Sequence, residues 1–157
     1  MSRILSIWVD NKPGVLARIA GLVSRRGFNI ESLAVSTTED TARSRVTMVV
    51  DADETIVEQV TKQLHKLVNI YKVTDLTDVD HIDRELVLFK VSAEAAQRGE
   101  IVELASIFRA RIVDVAPSTL TIEATGTADK LEAMENLLCA YGIKEIIRSG
   151  KIAVSRG

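Results

Sequence analysis

The most reactive side chains in this 157-residue sequence are Cys139, His65 and His81, and their spacing argues against catalysis. Cys139 lies in the apolar helical stretch Leu137-Leu138-Cys139-Ala140-Tyr141. Free cysteine is among the most buried residue types, so it reads as a structural thiol inside a core. His65 sits beside the apolar stripe of a helix, with no second ligand-type residue paired to it, and reads as a surface or helix-end residue. His81 falls in a polar stretch and reads as solvated. Scattered in this way, the three form neither a triad nor a zinc spacing. Asp51, Asp53 and Glu54 read as caps and first-turn charges of a helix. No Walker motif and no G-x-G-x-x-G occurs. The expectation is a chain with no catalytic residues, no metal site and no cofactor of its own.

One segment does hold the elements of a binding site, Asp10-Asn11-Lys12-Pro13-Gly14-Val15-Leu16. It joins an apolar strand to an amphipathic helix. Proline near the first helical position costs nothing, because that N–H would be unpaired anyway. Gly14 removes a side chain where a ligand could approach the backbone. Free N–H groups and the positive end of the helix dipole favour a carboxylate. Asn11 offers a carbonyl oxygen to an ammonium group and an amide donor to a carboxylate. Together these would hold a free amino acid. The same residues also read as a capped helix start, with Asn11 as N-cap and Pro13-Gly14 as an ordinary turn. A second segment, Arg26-Gly27-Phe28-Asn29-Ile30-Glu31-Ser32, places Asn29 and Glu31 on one face at the start of a strand. Asparagine is a poor strand former, so Asn29 either faces a ligand or serves the turn after Gly27.

The elements that must carry these residues follow from hydrophobic periodicity. Arg3 to Val9 is apolar and β-branched, a strand. Val15, Leu16, Ile19, Leu22 and Val23 recur at helical spacing, with Gly27 placed to stop the helix. Phe28 to Thr38 and Arg43 to Val50 read as a hairpin. Ile56, Val60, Leu64 and Leu67 mark a second helix, and Ile70 to Leu76 a fourth strand. The order β-α-β-β-α-β is the split βαβ pattern. It repeats: Glu85 to Val91, a helix on Ile101, Leu104, Ala105 and Phe108, strands at 112–115 and 120–124, a helix on Leu131, Met134, Leu138 and Tyr141, and a strand at 143–147. The expected fold is therefore α+β: two ferredoxin-like βαββαβ domains with antiparallel sheets. Residues 1–78 form the first, 79–83 a polar linker and 84–157 the second.

The runs D-N-K-P-G-V-L-A-R and R-R-G-F-N-I-E-S-L-A-V resemble the ACT domain of the small (regulatory) subunits of acetolactate synthase, also called acetohydroxyacid synthase. The similarity continues through Lys62 to Val68, Ile107-Phe108-Arg109-Ala110 and Arg148-Ser149-Gly150 to Ser155-Arg156-Gly157, and so covers nearly the whole chain. R-G-F-N-I-E-S-L is its most specific part. The resemblance implies a valine effector held between two ACT domains that pair side by side in a homodimer. It assigns Asn11, Gly14, Val15 and Leu16 to one protomer's half of that site, and Asn29 and Ile30 to the half given by the other protomer. It also implies a larger catalytic subunit as partner, carrying thiamine diphosphate, Mg²⁺ and FAD. Activation of that partner and feedback inhibition in branched-chain amino-acid biosynthesis would follow.

Composition agrees with such a role. The apolar fraction of 46% and charged fraction of 27% suit a folded domain pair. A net charge of −2, from 22 acidic and 20 basic residues interspersed along the chain, gives no footprint for a polyanion. Aromatics are only 4% of residues, so the stacking face of an RRM-type nucleic-acid binder is not expected. With one cysteine, no leader and no apolar run of membrane-spanning length, a cytoplasmic location and no membrane contact are expected. Domains of under 80 residues have small cores and open sheet edges, which independently favours a dimer. A sensor of some other amino acid is the alternative of the same class.

Overall fold

Alternating apolar residues in the first strand set the architecture of everything packed on it. In the computed structural model, which describes residues 2–27 and 29–157, the chain begins with β1 (Ser2–Asp10), α1 (Val15–Arg25), β2 (Ile30–Thr37), β3 (Arg43–Asp51), α2 (Glu54–Leu64) and β4 (Ile70–Asp75). The strands form an antiparallel sheet in the order β2-β3-β1-β4. Leu5, Ile7 and Val9 of β1 and Val46, Met48 and Val50 of β3 point to the same face. There they meet Val15, Ile19, Leu22 and Val23 of α1 and Val57, Val60 and Leu64 of α2 in one buried core. Period 2 in the strands and period 3–4 in the helices thus solve the same burial problem.

The helix ends follow local chemistry. Asp53 caps α2 through its carboxylate, which accepts from the Ile56 amide at 2.9 Å, as the sequence indicates. α1 stops where Gly27 takes a left-handed φ of +78°. His65 is exposed at the C-terminal end of α2, in agreement with a helix-end role. Phe28, expected to open β2, lies outside the described residues.

The first compact unit takes in residues up to Ile82 together with Lys151–Gly157. The last seven residues thus return to pack with the first unit. They include a short strand, β9 (Ile152–Ser155). Its Ala153 is buried with Ile4, Val49 and Leu76, on the face of the first sheet turned away from the helices. The Lys151 amide donates to Ser32 Oγ at 2.8 Å, and the Arg156 amide to the Asp80 carbonyl at 2.9 Å. Hydropathy gave no sign of this strand, because the large residues Ile152 and Val154 are exposed and the small Ala153 is the one buried.

The second unit, Asp83–Gly150, repeats the plan with β5 (His81–Ser92), whose first two residues belong to the first unit, α3 (Arg98–Ile107), β6 (Arg111–Val115), β7 (Thr119–Gly126), α4 (Ala128–Leu138) and β8 (Ile143–Arg148). The strand order is β6-β7-β5-β8, again antiparallel. Val87, Phe89 and Val91 of β5 and Leu120, Ile122 and Ala124 of β7 form its core with Ile101 and Ala105 of α3 and Leu131, Met134 and Leu138 of α4. The fold is α+β, two ferredoxin-like βαββαβ units. Two residues differ from their expected settings. His81 opens β5, with Nδ1 2.7 Å from the Val79 carbonyl, rather than floating in solvent. Cys139 is exposed at the start of a single 3₁₀ turn, Cys139–Tyr141. Leu138 takes the core position, and a residue one step further round the helix is rotated about 100° off that stripe. Among the described residues, no helix is long and apolar enough to cross a membrane.

Candidate functional site

β1 ends at Asp10, opposite Arg43 of β3, and the loop that follows is tied down by Asn11. The Asn11 amide N–H donates to the Ala42 carbonyl at 2.9 Å, and its side-chain Nδ2 donates to the Thr41 carbonyl at 2.9 Å. Both donors therefore hold the loop to the turn between β2 and β3. Oδ1, on an exposed residue, remains to accept from an incoming donor.

Asn11 is not the helix cap. The N-cap of α1 is Gly14, at φ +84° and ψ −13°, and no side chain bonds to that helix end. Only glycine enters this left-handed region without strain. The first-turn N–H groups thus lie at the positive end of the dipole without a capping oxygen from the chain itself. Val15 is buried in the core and anchors the helix start, whereas Leu16 is left open to solvent. Asn11, Gly14, Val15 and Leu16 are accordingly brought together on one loop and helix end.

A polar chain missed in the sequence backs this loop. Asn69, just before β4, is oriented so that its Nδ2 donates to Asp10 Oδ2 at 2.8 Å and its oxygen accepts from Arg18 Nη1 at 2.7 Å. The reverse orientation would set oxygen against carboxylate and N–H against guanidinium. The Tyr71 hydroxyl donates to Asp10 Oδ1, and the Arg43 guanidinium stacks 4.3 Å above the Tyr71 ring. The hydrogen bond to the Asp10 carboxylate, with partial desolvation, raises the Tyr71 phenol above its ordinary pKa. Asn69 and Tyr71 flank Ile70 at the start of β4, 59 and 61 positions beyond Asp10. The pairing of Val9 with Ile70 and the bond from the Asp10 amide to the Asn69 carbonyl at 2.9 Å bring them near, and no local pattern encodes that.

The other expected half of the site lies elsewhere. Asn29 is exposed just before β2, and its carbonyl accepts from the Asp51 amide at 3.2 Å. Ile30, half-buried, opens β2 opposite Val50, which itself pairs with Arg3 of β1. The register shifts between Ile30 and Ser32, so the even alternation expected for Asn29 and Glu31 is broken by a bulge. From Arg3 to Asp10 is seven strand steps, about 23 Å. Asn11 and Asn29 therefore stand at opposite ends of one sheet, and a single chain does not bring them together. β2, which leads from one end to the other, is an edge strand with Val35 exposed.

The corresponding junction of the second unit is closed. Arg98, at the start of α3, donates from Nε to the Ala93 carbonyl at 3.1 Å and from Nη2 to the Ala116 carbonyl in the β6–β7 turn. A guanidinium on the first residue of α3 ties the segment after β5 to that turn, and the N-cap beside it is Gln97 where the first unit has Gly14. Among the described residues, no group of three or more His, Cys, Asp or Glu side chains is placed to hold a metal ion.

Comparisons with known proteins bear on the whole chain. Residues 5–72 match the family described as the AHAS small subunit-like ACT domain, and residues 84–157 match the small subunit of acetolactate synthase. The acetolactate synthase small subunit of Mycobacterium bovis is 53% identical over 153 residues, covering 98% of this chain and 91% of its own. A probable acetolactate synthase small subunit of Archaeoglobus fulgidus is 54% identical over 157 residues, covering 100% and 98%. The crystal structure of the acetolactate synthase small subunit from Thermotoga maritima superposes with a TM-score of 0.90 at 39% identity, covering 100% of this chain and 98% of that one.

Proposed function

This chain belongs to the acetolactate synthase small-subunit family, and on that premise we propose that it is the regulatory subunit of the enzyme and senses valine between two copies of its first unit. The catalytic chemistry belongs to a larger partner subunit that carries thiamine diphosphate, Mg²⁺ and FAD and condenses pyruvate. This chain raises the partner's rate and makes it subject to feedback inhibition by valine, an end product of branched-chain amino-acid biosynthesis.

The observation that supports this reading is the separation of Asn11 and Asn29 along an edge strand. Two copies related by a two-fold axis that joins β2 to β2 antiparallel place one copy's Asn29 end beside the other's Asn11 end, twice per dimer. The edge that would otherwise stay open is then paired. In each site the valine carboxylate lies on the α1 N–H groups above Gly14. Its ammonium meets Asn11 Oδ1 and the Asn29 side chain of the second copy. The isopropyl group lies against Leu16 and, from the second copy, Ile30. Because the ligand touches both copies, its binding energy biases how they pack, which is the physical route to coupling.

The test is reconstitution. Added to the catalytic subunit with pyruvate, thiamine diphosphate, Mg²⁺ and FAD, the chain raises acetolactate formation and makes it fall on titration with valine. A rate unchanged by the chain, with or without valine, overturns the proposal.

A further inference from the structure

Resting on this reading of the effector site, we infer that Arg18 is the specificity-determining residue that makes the site select a free α-carboxylate. Arg18 follows Gly14 by four residues, and side chains on a helix lean back toward its N-terminus over the residue one turn earlier. Its Nη2 lies 4.0 Å from the point a Cβ at position 14 would occupy, so the guanidinium hangs over the side-chain-free N-cap. Nη1 is held by Asn69 Oδ1 at 2.7 Å, and the Asn69 amide is fixed in turn on Asp10 Oδ2 at 2.8 Å. The other Asp10 oxygen is taken by the Tyr71 hydroxyl. One terminal nitrogen is therefore clamped and the other is aimed at the helix mouth.

The charge on this group is the telling feature. Its clamp is a neutral amide, and among the described residues Arg18 makes no ion pair. A cation near the positive end of a helix dipole is opposed by the local field. An anion seated on the α1 N–H groups relieves that opposition and accepts a charge-assisted bond from Nη2. A carboxylate meets both donors at once. A carboxamide offers a neutral oxygen, and its NH₂ group confronts N–H donors that cannot accept from it. Asp10, Asn69 and Tyr71 are positioning residues in this scheme, since they fix Arg18 and do not touch the ligand.

The experiment is calorimetry on the full-length chain at pH 7 with valine and with valinamide, for wild type, Arg18→Gln and Arg18→Lys. Wild type binds valine and prefers it to valinamide. Arg18→Gln loses about ten- to a hundredfold in valine affinity, the usual effect of removing one hydrogen bond to a charged group, while valinamide affinity stays near its wild-type value. Arg18→Lys restores most of the preference. The inference is overturned if Arg18→Gln keeps the wild-type ratio of the two affinities, or if both ligands weaken equally, which would mark a packing role. Wild type failing to bind valine at all is a different result: it removes the effector reading itself, and this inference with it. Arg18 is exposed, and matching melting curves for the three proteins show that each is folded.

Discussion

The Asn11 side chain donates to the Thr41 carbonyl at 2.9 Å, which fixes the loop before α1 to the turn between β2 and β3 and turns Oδ1 outward. Asn11→Ala removes both the tether and the outward oxygen. The backbone bond from residue 11 to the Ala42 carbonyl survives, so the loop keeps one anchor and the melting temperature should change little. Valine affinity should fall by one to two decades, about 1.5–3 kcal/mol. Calorimetry beside a thermal melt checks this. Normal valine binding with a Tm lowered by more than about 5 °C would assign Asn11 to the loop alone.

Dimerisation and ligand binding should fail together if both depend on the β2 edge. Val35 is exposed on that strand, at 43% of its full accessibility, and its burial in the first core is not needed. Val35→Lys adds a charge to the edge, a common device against strand pairing. The expected result is a shift toward monomer in sedimentation at micromolar concentration, with valine affinity lost in parallel and the circular-dichroism spectrum retained. A Val35→Lys protein that stayed dimeric and bound valine would move the interface away from β2.

Acid sensitivity in the first unit should trace to Asp75. Burial would raise this carboxyl, but the Thr77 hydroxyl at 2.6 Å, the Thr77 amide at 3.0 Å and Arg3 at 2.8 Å hold it below the ordinary carboxylate range. Folded Asp75 therefore binds its proton less readily than unfolded Asp75. Its contribution is complete above the unfolded pKa, about 3.9, and is lost as pH falls through the lower folded value. Urea unfolding between pH 2 and pH 6 should show wild type losing stability in that acid window. Asp75→Asn should be less stable at pH 6 and lose less on acidification. Parallel curves for the two proteins would exclude Asp75 as the group responsible.

How legible all this was depends on the range of the interaction. Both βαββαβ units are written in local periodicity, since residues such as Ile19 and Val23, or Leu131 and Met134, announce their burial by spacing alone. The Asp53 cap is equally local. β9 escaped because its buried residue is Ala153, whose hydropathy cannot compete with the exposed Ile152 and Val154. Cys139 misled because a composition-level preference for burial ignored its phase against Leu138. In the candidate site, Gly14 was visible as a glycine but not as the N-cap, because the residue types around it suit a cap at Asn11 equally well and do not announce the φ of +84°. The chain Arg18–Asn69–Asp10–Tyr71 depends on β1–β4 register, a long-range fact with no local signature. The separation of Asn11 from Asn29 needed the strand order, which periodicity does not give.

The sharpest remaining test sits at Gly14, where backbone strain and charge can be separated. With φ at +84°, any L-residue there costs about 1–2 kcal/mol, though asparagine and aspartate tolerate the left-handed region better than most. Gly14→Asn and Gly14→Asp are nearly the same size and share that tolerance, so they share most of the strain. They differ in one negative charge placed at the α1 N-terminus, beside Arg18. For stability, the dipole and Arg18 both favour the aspartate, so Gly14→Asp should melt at or above Gly14→Asn. For binding the order reverses. If the valine carboxylate rests on that helix end, the aspartate occupies its place and repels it, so Gly14→Asp should bind valine far more weakly than Gly14→Asn. The assembled enzyme carrying Gly14→Asp should still be activated by the small subunit yet escape inhibition by valine. A pair of variants that melted in the stated order but bound valine equally would show that the carboxylate does not sit at Gly14.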